Sequence, residues 1–217
     1  MTVLADGLLL LVLITDLFIL ASGRLAACVR ATAFQGVLLA ALPLVLWAPG
    51  GHVPLVHLVL MSAGALAVKA GIIPALLLRS ARESNARREV EPYVSLHVSV
   101  LLGALLVGLS LWMARMLVLP GSIAATLLVP AGFATALLGF LMLVARKYAV
   151  TQVVGYLMLD NGIFIFGQSI AGALPMVVEL GILLDLLVAV FVMGIAIHHI
   201  SREFDHIDTD RLASLKD

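Results

Sequence analysis

Leu8-Leu9-Leu10-Leu11-Val12-Leu13-Ile14-Thr15-Asp16-Leu17-Phe18-Ile19-Leu20 is a run of apolar residues interrupted by one carboxylate. A helix rises ~1.5 Å per residue and the hydrocarbon core of a bilayer is ~30 Å thick, so about 20 such residues cross it. Extended to its polar limits the run covers 3–21, one full span. Six further runs of the same kind follow, at roughly 31–48, 54–78, 94–114, 122–145, 149–171 and 175–199. Strand-like alternation is absent, which argues against a β-barrel. The predicted fold is all-α: a polytopic integral membrane helix bundle of about seven transmembrane helices.

Composition agrees. Of 217 residues, 63% are hydrophobic and 12% charged, with a mean hydropathy of +1.17. A soluble domain of this size cannot cover its surface with so few polar groups. Thirteen basic residues balance thirteen acidic ones, so nothing in the charge points to nucleic acid as a partner. Cys28 is the one cysteine and reads as a small hydrophobe. The first run has no basic flank, carries Asp6 near its start and meets its first positive charge at Arg24, unlike a cleaved signal peptide.

Punctuation falls between the runs, at Ala48-Pro49-Gly50-Gly51, Pro120-Gly121-Ser122 and Ala171-Gly172-Ala173-Leu174-Pro175. The only sizeable polar pieces are Arg79 to Glu91 and the tail from Ser201, too short for a soluble catalytic domain. Basic residues mark cytoplasmic loops. Arg24, Arg30, Arg79, Arg82, Arg87, Arg88, Arg146, Lys147, Arg202, Arg211 and Lys216 fall on one side of a seven-span arrangement, against Arg115 alone on the other. This predicts an N-terminus outside and a cytoplasmic C-terminus, in the cell (inner) membrane with lipid as its surroundings.

Five ionisable residues lie where charge is costly, at ~2.5–3.5 kcal/mol or more each: Asp16, Lys69, Asp160, Glu179 and Asp185. Asp160 and Asp185 fall near the middle of their spans; Asp16 and Lys69 fall roughly 4 Å to the cytoplasmic side, and Glu179 about 9 Å outward of Asp185. Shared depth suggests a proton or ion pathway. The competing reading is a set of packing pairs, such as Asp16 with Lys69. Pro74, in Lys69-Ala70-Gly71-Ile72-Ile73-Pro74, lacks a donor for the carbonyl of Ala70 and marks a possible helix kink or gate. His52, His57, His97, His198 and His199 read as interfacial anchors. No metal-ligand spacing, phosphate loop, CxxC pair or nucleophile triad is present. Gly155, Gly162 and Gly167 read as sites of close helix approach.

Lys69-Ala70-Gly71-Ile72-Ile73-Pro74, Gly155-Tyr156-Leu157-Met158-Leu159-Asp160-Asn161-Gly162, Glu179-Leu180-Gly181-Ile182-Leu183-Leu184-Asp185 and the tail Phe204-Asp205-His206-Ile207-Asp208-Thr209-Asp210-Arg211-Leu212 together resemble the hydrogenase-4 component E family. The last three spans are also similar to the small K-type membrane protein of respiratory complex I and to its counterpart in Mrp-type cation/proton antiporters. On that likeness Asp185 stands at the third-helix acid, while Leu157 stands at the second-helix glutamate and Asp160 one turn beyond it. The resemblance implies a four-helix part at 1–119, a K-like three-helix part at 120–200 and a cytoplasmic tail at 201–217. It further implies a subunit that is not an enzyme by itself, in a group 4 nickel–iron hydrogenase or formate hydrogenlyase-type complex. Antiporter-like membrane subunits would be its neighbours. Nickel–iron and iron–sulfur centres would sit in cytoplasmic-side partner subunits, with no cofactor, catalytic residue or metal ligand in this chain. The alternatives are a purely structural scaffold of that complex and a subunit of an Mrp-type antiporter.

Overall fold

A computed structural model describes residues 2–46, 55–83, 93–117 and 127–170. Helix α1 runs Thr2–Ala21, α2 Leu25–Leu46, α3 Leu55–Ala65, α4 Ile73–Glu83, α5 Leu96–Met116, α6 Leu128–Ala145 and α7 Ala149–Ile170. Between α3 and α4 the chain keeps turning as a π-helix, Leu66–Ile72. Among the described residues the regular elements are all helical, and five helical stretches are long and apolar enough to cross a membrane: Val3–Ala21, Leu25–Leu46, Leu58–Arg79, Leu96–Met116 and Leu128–Ala145. The chain is a membrane protein. Helix is the expected form here because hydrocarbon offers the backbone no partners, so each segment must bond its own N–H and C=O groups.

Helix ends are set locally. Ser95 caps α5 by accepting the N–H of Val98 at 3.4 Å. The carboxylate of Asp6 accepts the N–H of Leu127 at 3.0 Å, so the start of α1 caps the start of α6. Pro130 falls in the first turn of α6, where its missing donor costs no intrahelical bond. Helix α2 begins at Leu25, earlier than the sequence suggests. Arg30, expected outside the span, stands exposed on the helix while Cys28 and Val29 are buried.

Helices α1, α2, α6 and α7 form the centre. Helix α1 packs on α2, α5 and α6; α2 packs on α7 and on the whole of α3, the π-helix and α4. The closest pair is α6 with α7, joined by a short turn. A Cβ on Gly132 would come within 2.8 Å of the Phe166 backbone, and one on Gly155 within 2.8 Å of the Leu143 backbone. Gly139 and Gly162 face the Leu159 and Ala136 backbones still more closely. Gly155 and Gly162 therefore act as read from sequence, letting two backbones touch.

The core divides along the helix axes. One apolar cluster holds Ala5, Leu9 and Val12 of α1, Leu38 and Leu42 of α2, Ala131 of α6 and Ile165 of α7. The other holds Ile19 and Leu20, Cys28 and Val29, Leu138 and Met142, and Val153, Val154, Leu157 and Met158 of the same helices, with Ile73 and Leu77 of α4. On each helix a gap of a turn or two separates the clusters, and polar side chains fill it.

At the end carrying Arg24, the side chain of Arg146 is fully buried and its Nη2 donates to the carbonyl of Leu20 at 2.7 Å. This satisfies an orphan carbonyl in the last turn of α1 and places a cation at the negative end of that helix. Burial holds the guanidinium below its ordinary pKa, partly offset by the nearby Cys28. Arg146, counted from sequence among the loop charges, is thus a core residue. The N–H of Tyr93 bonds the carbonyl of Ala145 at 2.9 Å, so α5 begins at this same end. The side of the membrane on which it lies is an expectation from the basic residues.

Candidate functional site

Asp16 and Gln35 sit on α1 and α2, Lys69 on the π-helix, Thr135 on α6, and Asp160 with Asn161 on α7. All six are buried. Lys69 ion-pairs with Asp160 through Nζ and Oδ2. The same Nζ donates to Oδ1 of Asn161 at 3.2 Å and lies 5.3 Å from the centre of the Phe164 ring. Asn161 Nδ2 donates to Oε1 of Gln35 at 3.3 Å. Gln35 Nε2 donates to Oδ1 of Asp16 at 2.6 Å, with a longer contact to the Val12 carbonyl at 3.4 Å. Thr135 Oγ1 donates to the other oxygen of Asp16, Oδ2, at 2.7 Å.

These bonds form one chain with one direction. An ammonium only donates, so Asn161 must turn its oxygen to Lys69 and keep its NH2 for Gln35. Gln35 must then accept with its oxygen and offer its NH2 to Asp16, an acceptor when ionised. From Lys69 through Asn161 and Gln35 every donor points toward Asp16, and Thr135 donates to Asp16 from the other side. The two amides thereby align their dipoles between a positive and a negative terminus. One ammonium faces two carboxylates, so the layer's formal sum with all three ionised is −1.

Local backbone explains how Lys69 reaches this layer. In the π-helix the N–H of Ile73 bonds the carbonyl of Val68, five residues back. Pro74, one residue further, has no N–H to offer; the disturbance expected at this proline takes the form of a seven-residue π-helix. Gly36 makes the seat: a Cβ there would stand 2.8 Å from the backbone carbon of Lys69 and 2.9 Å from the nitrogen of Ala70. The residue beside Gln35 is therefore what allows the π-helix to lie against α2.

Of the five charges singled out in the sequence, the structure brings Asp16, Lys69 and Asp160 together; Glu179 and Asp185 lie outside the described residues. The direct partner of Lys69 is Asp160, and Asp16 is reached only through the two amides, in place of an Asp16–Lys69 pair. Gln35, Thr135 and Asn161 were not singled out. Their signal was present, since each is a hydrogen-bonding side chain at the depth of a charged residue. Among the histidines, His97 is exposed in the first turn of α5, the His57 side chain lies outside the description, and so do His52, His198 and His199. Among the described residues no group of three His, Cys, Asp or Glu is placed to hold a metal ion.

No family model matches the chain, and no solved structure matches it. Hydrogenase-4 component E of Escherichia coli K12 is 27% identical over 160 residues, 74% of each chain, and that of Shigella flexneri matches to the same extent. An uncharacterized protein of Mycobacterium tuberculosis, Rv0085, is 35% identical over 196 residues, spanning 89% of this chain and 87% of its own. At that identity and coverage the chain belongs to the family of the Mycobacterium tuberculosis protein Rv0085.

Proposed function

We propose that this chain is a membrane subunit of a hydrogenase-type complex, of the kind hydrogenase-4 component E is named for, and that its buried polar layer helps couple redox chemistry to proton or sodium movement. The subunit is not an enzyme by itself. Nickel–iron and iron–sulfur centres reside in partner subunits on the cytoplasmic side, and antiporter-like subunits lie beside it in the inner membrane. The observation that carries the reading is the unbroken bonded chain Asp160–Lys69–Asn161–Gln35–Asp16–Thr135 across α1, α2, the π-helix, α6 and α7. Charged groups within a membrane are expensive, and linking them in a line allows a charge change at one end to be felt at the other. Asp185 and Glu179 extend the path in this proposal, and the π-helix before Pro74 is its point of adjustment.

The test uses the assembled complex in membrane vesicles. Lys69→Met and Gln35→Leu are expected to leave hydrogen turnover within a factor of two of the parent while reducing coupled ion movement severalfold. Wild-type coupling by a fully assembled Lys69→Met complex would refute the role. Purification in mild detergent tests membership separately: a nickel–iron large subunit in the partner list supports it, and an antiporter set without one overturns it.

A scaffold reading is favoured by one observation: among the described residues Asp16, Gln35, Lys69, Thr135, Asp160 and Asn161 bond to one another, as a packing lock requires. It predicts that the same substitutions lower the yield of complex and leave ions moved per hydrogen unchanged.

A further inference from the structure

Asp16 is the buried charge that the ion pair leaves over. Its side chain is fully buried, and its two oxygens are held by Gln35 and Thr135; among the described residues it makes no ion pair. Taking an ion out of water costs several kcal/mol unless a counter-ion replaces the solvent. Lys69 pairs with Asp160, so among the described residues the partners of Asp16 are the dipoles of Gln35 and Thr135.

The two oxygens of Asp16 are not equivalent. Oδ1 accepts from Gln35, whose NH2 is fixed there by the polarity running from Lys69 through Asn161. A proton on Oδ1 would set donor against donor. Oδ2 faces a hydroxyl, which both donates and accepts. When Oδ2 is bare, Thr135 donates to it. When Oδ2 carries a proton, it donates to Thr135 Oγ1, and the threonine hydroxyl turns to a backbone carbonyl of the preceding turn of α6, a usual partner for threonine in a helix. Both states are fully bonded, and only the Thr135 hydrogen and the added proton move.

We propose that Asp16 and Thr135 form the exchangeable proton site of this protein, with the proton on Oδ2 of Asp16 and with Gln35 and Asn161 as positioning residues that tie its occupancy to the Lys69–Asp160 pair. The ion taken up is a proton, H+ adding to a carboxylate to give a neutral acid, and no other bond is made or broken. Uptake brings the formal sum of the layer from −1 to zero. The inference deepens the ion-handling part of the proposed function and does not depend on which complex the chain joins. Among the described residues no titratable side chain bonds directly to Asp16; Glu179 and Asp185 lie outside them. At this level α5 presents an apolar surface, where Gly103 meets Leu17, Leu20 and Leu138. Cys28 and Arg146 lie at the end of α1 against Ile19, Leu20 and Ser22. His97 is exposed.

The experiment is infrared difference spectroscopy on the full-length chain in lipid nanodiscs, stepped between about pH 9 and pH 5, where exposed carboxylates stay ionised. A protonated-carboxyl C=O band is expected on acidification in the parent and in Glu179→Gln and Asp185→Asn, and its loss in Asp16→Asn. Thr135→Val should move the band to higher frequency, because the acid loses its acceptor, and Thr135→Ser should restore the parent position. The Thr135 pair keeps the test decisive if Asp16→Asn fails to fold. A band that survives Asp16→Asn, or that is indifferent to Thr135→Val, overturns the site. Failure here with normal co-purification of the hydrogenase subunits leaves complex membership standing; the reverse outcome leaves the proton site standing.

Discussion

Removing one partner of the Lys69–Asp160 pair should be far more damaging than removing both. The side chains are 4% and 7% exposed, so water does not reach a stranded charge. Breaking a buried pair from one side costs about 3–5 kcal/mol, whereas replacing both members with apolar residues of similar volume is often neutral. In Asp160→Leu the ammonium retains its bond to Asn161 and the ring of Phe164. A charged hydrogen bond is worth ~1.5–3 kcal/mol and a desolvated cation–π contact up to about 2. These residual contacts hold the expected loss near the lower limit, about 3 kcal/mol. In Lys69→Met the Asp160 carboxylate keeps no cation among the described residues, and the expected loss is about 4 kcal/mol. The double variant should fall within about 1 kcal/mol of the parent, giving a coupling well above the ~0.5–3 kcal/mol of ordinary contacting pairs. Denaturant titration of the purified chain in mixed micelles, followed by circular dichroism, measures all four corners of the cycle. Single effects that add to within about 0.5 kcal/mol in the double variant would refute the reasoning, since additivity is the behaviour of sites that do not touch.

Three further outcomes are expected. Gly139→Val or Gly162→Val should cost about 3 kcal/mol or more in the same titration, because the new side chain meets the facing helix backbone, while Gly64→Ala and Gly108→Ala, with open space around them, should be neutral or stabilising by up to ~1 kcal/mol. Arg146→Ala should cost about 1.5–3 kcal/mol by uncapping Leu20, with Arg146→Gln recovering part of it; a thermal melt of the purified protein decides between loss and indifference. Cys28 should resist a water-soluble maleimide in intact membranes and react fully after unfolding, as mass spectrometry will show.

The helical runs within the described residues were largely legible because length and apolarity are properties of a segment by itself; five of them are long and apolar enough to cross a membrane, and the run at 175–199 lies outside the described residues. Runs at 3–21, 54–78, 94–114 and 149–171 reappear as α1, as α3 through α4, as α5 and as α7 within a few residues. The second run was placed too late because Arg24 and Arg30 were both assigned to a loop, whereas Arg30 stands in the second turn of α2, its long side chain at the surface. The site was half legible. Depth follows from counting residues along a helix, and it set Asp16, Lys69 and Asp160 at similar heights. Rotation about the axis does not follow from counting. Helices apolar on every side carry little periodicity to say which way a side chain faces, and the π-helix shifts the register at Lys69 itself. Gln35, Thr135 and Asn161 were passed over because neutral polar residues interrupt an apolar run less conspicuously than charges do. Arg146 was misplaced for a related reason: a basic residue after a span reads as a loop charge until its partner carbonyl, 126 positions earlier, is seen.

The sequence separations within the polar layer set an order of events during biogenesis. Lys69 waits for a partner 91 residues downstream, Asp16 for one 119 downstream and Gln35 for one 126 downstream. Chains emerge from the ribosome N-terminus first. Helices α1 and α2 and the π-helix therefore enter the bilayer carrying polar groups whose permanent partners have not been synthesised. Asp16 and Gln35 hold each other across the α1–α2 pair meanwhile, before Asp160 and Asn161 reach Lys69. Arrival of α6 and α7 closes the layer in a single stroke, since Thr135, Asp160 and Asn161 all ride on that tightly apposed hairpin. A chain interrupted before Leu128 lacks Thr135, Asp160 and Asn161, and Asp16, Gln35 and Lys69 are left without those partners in its membrane region.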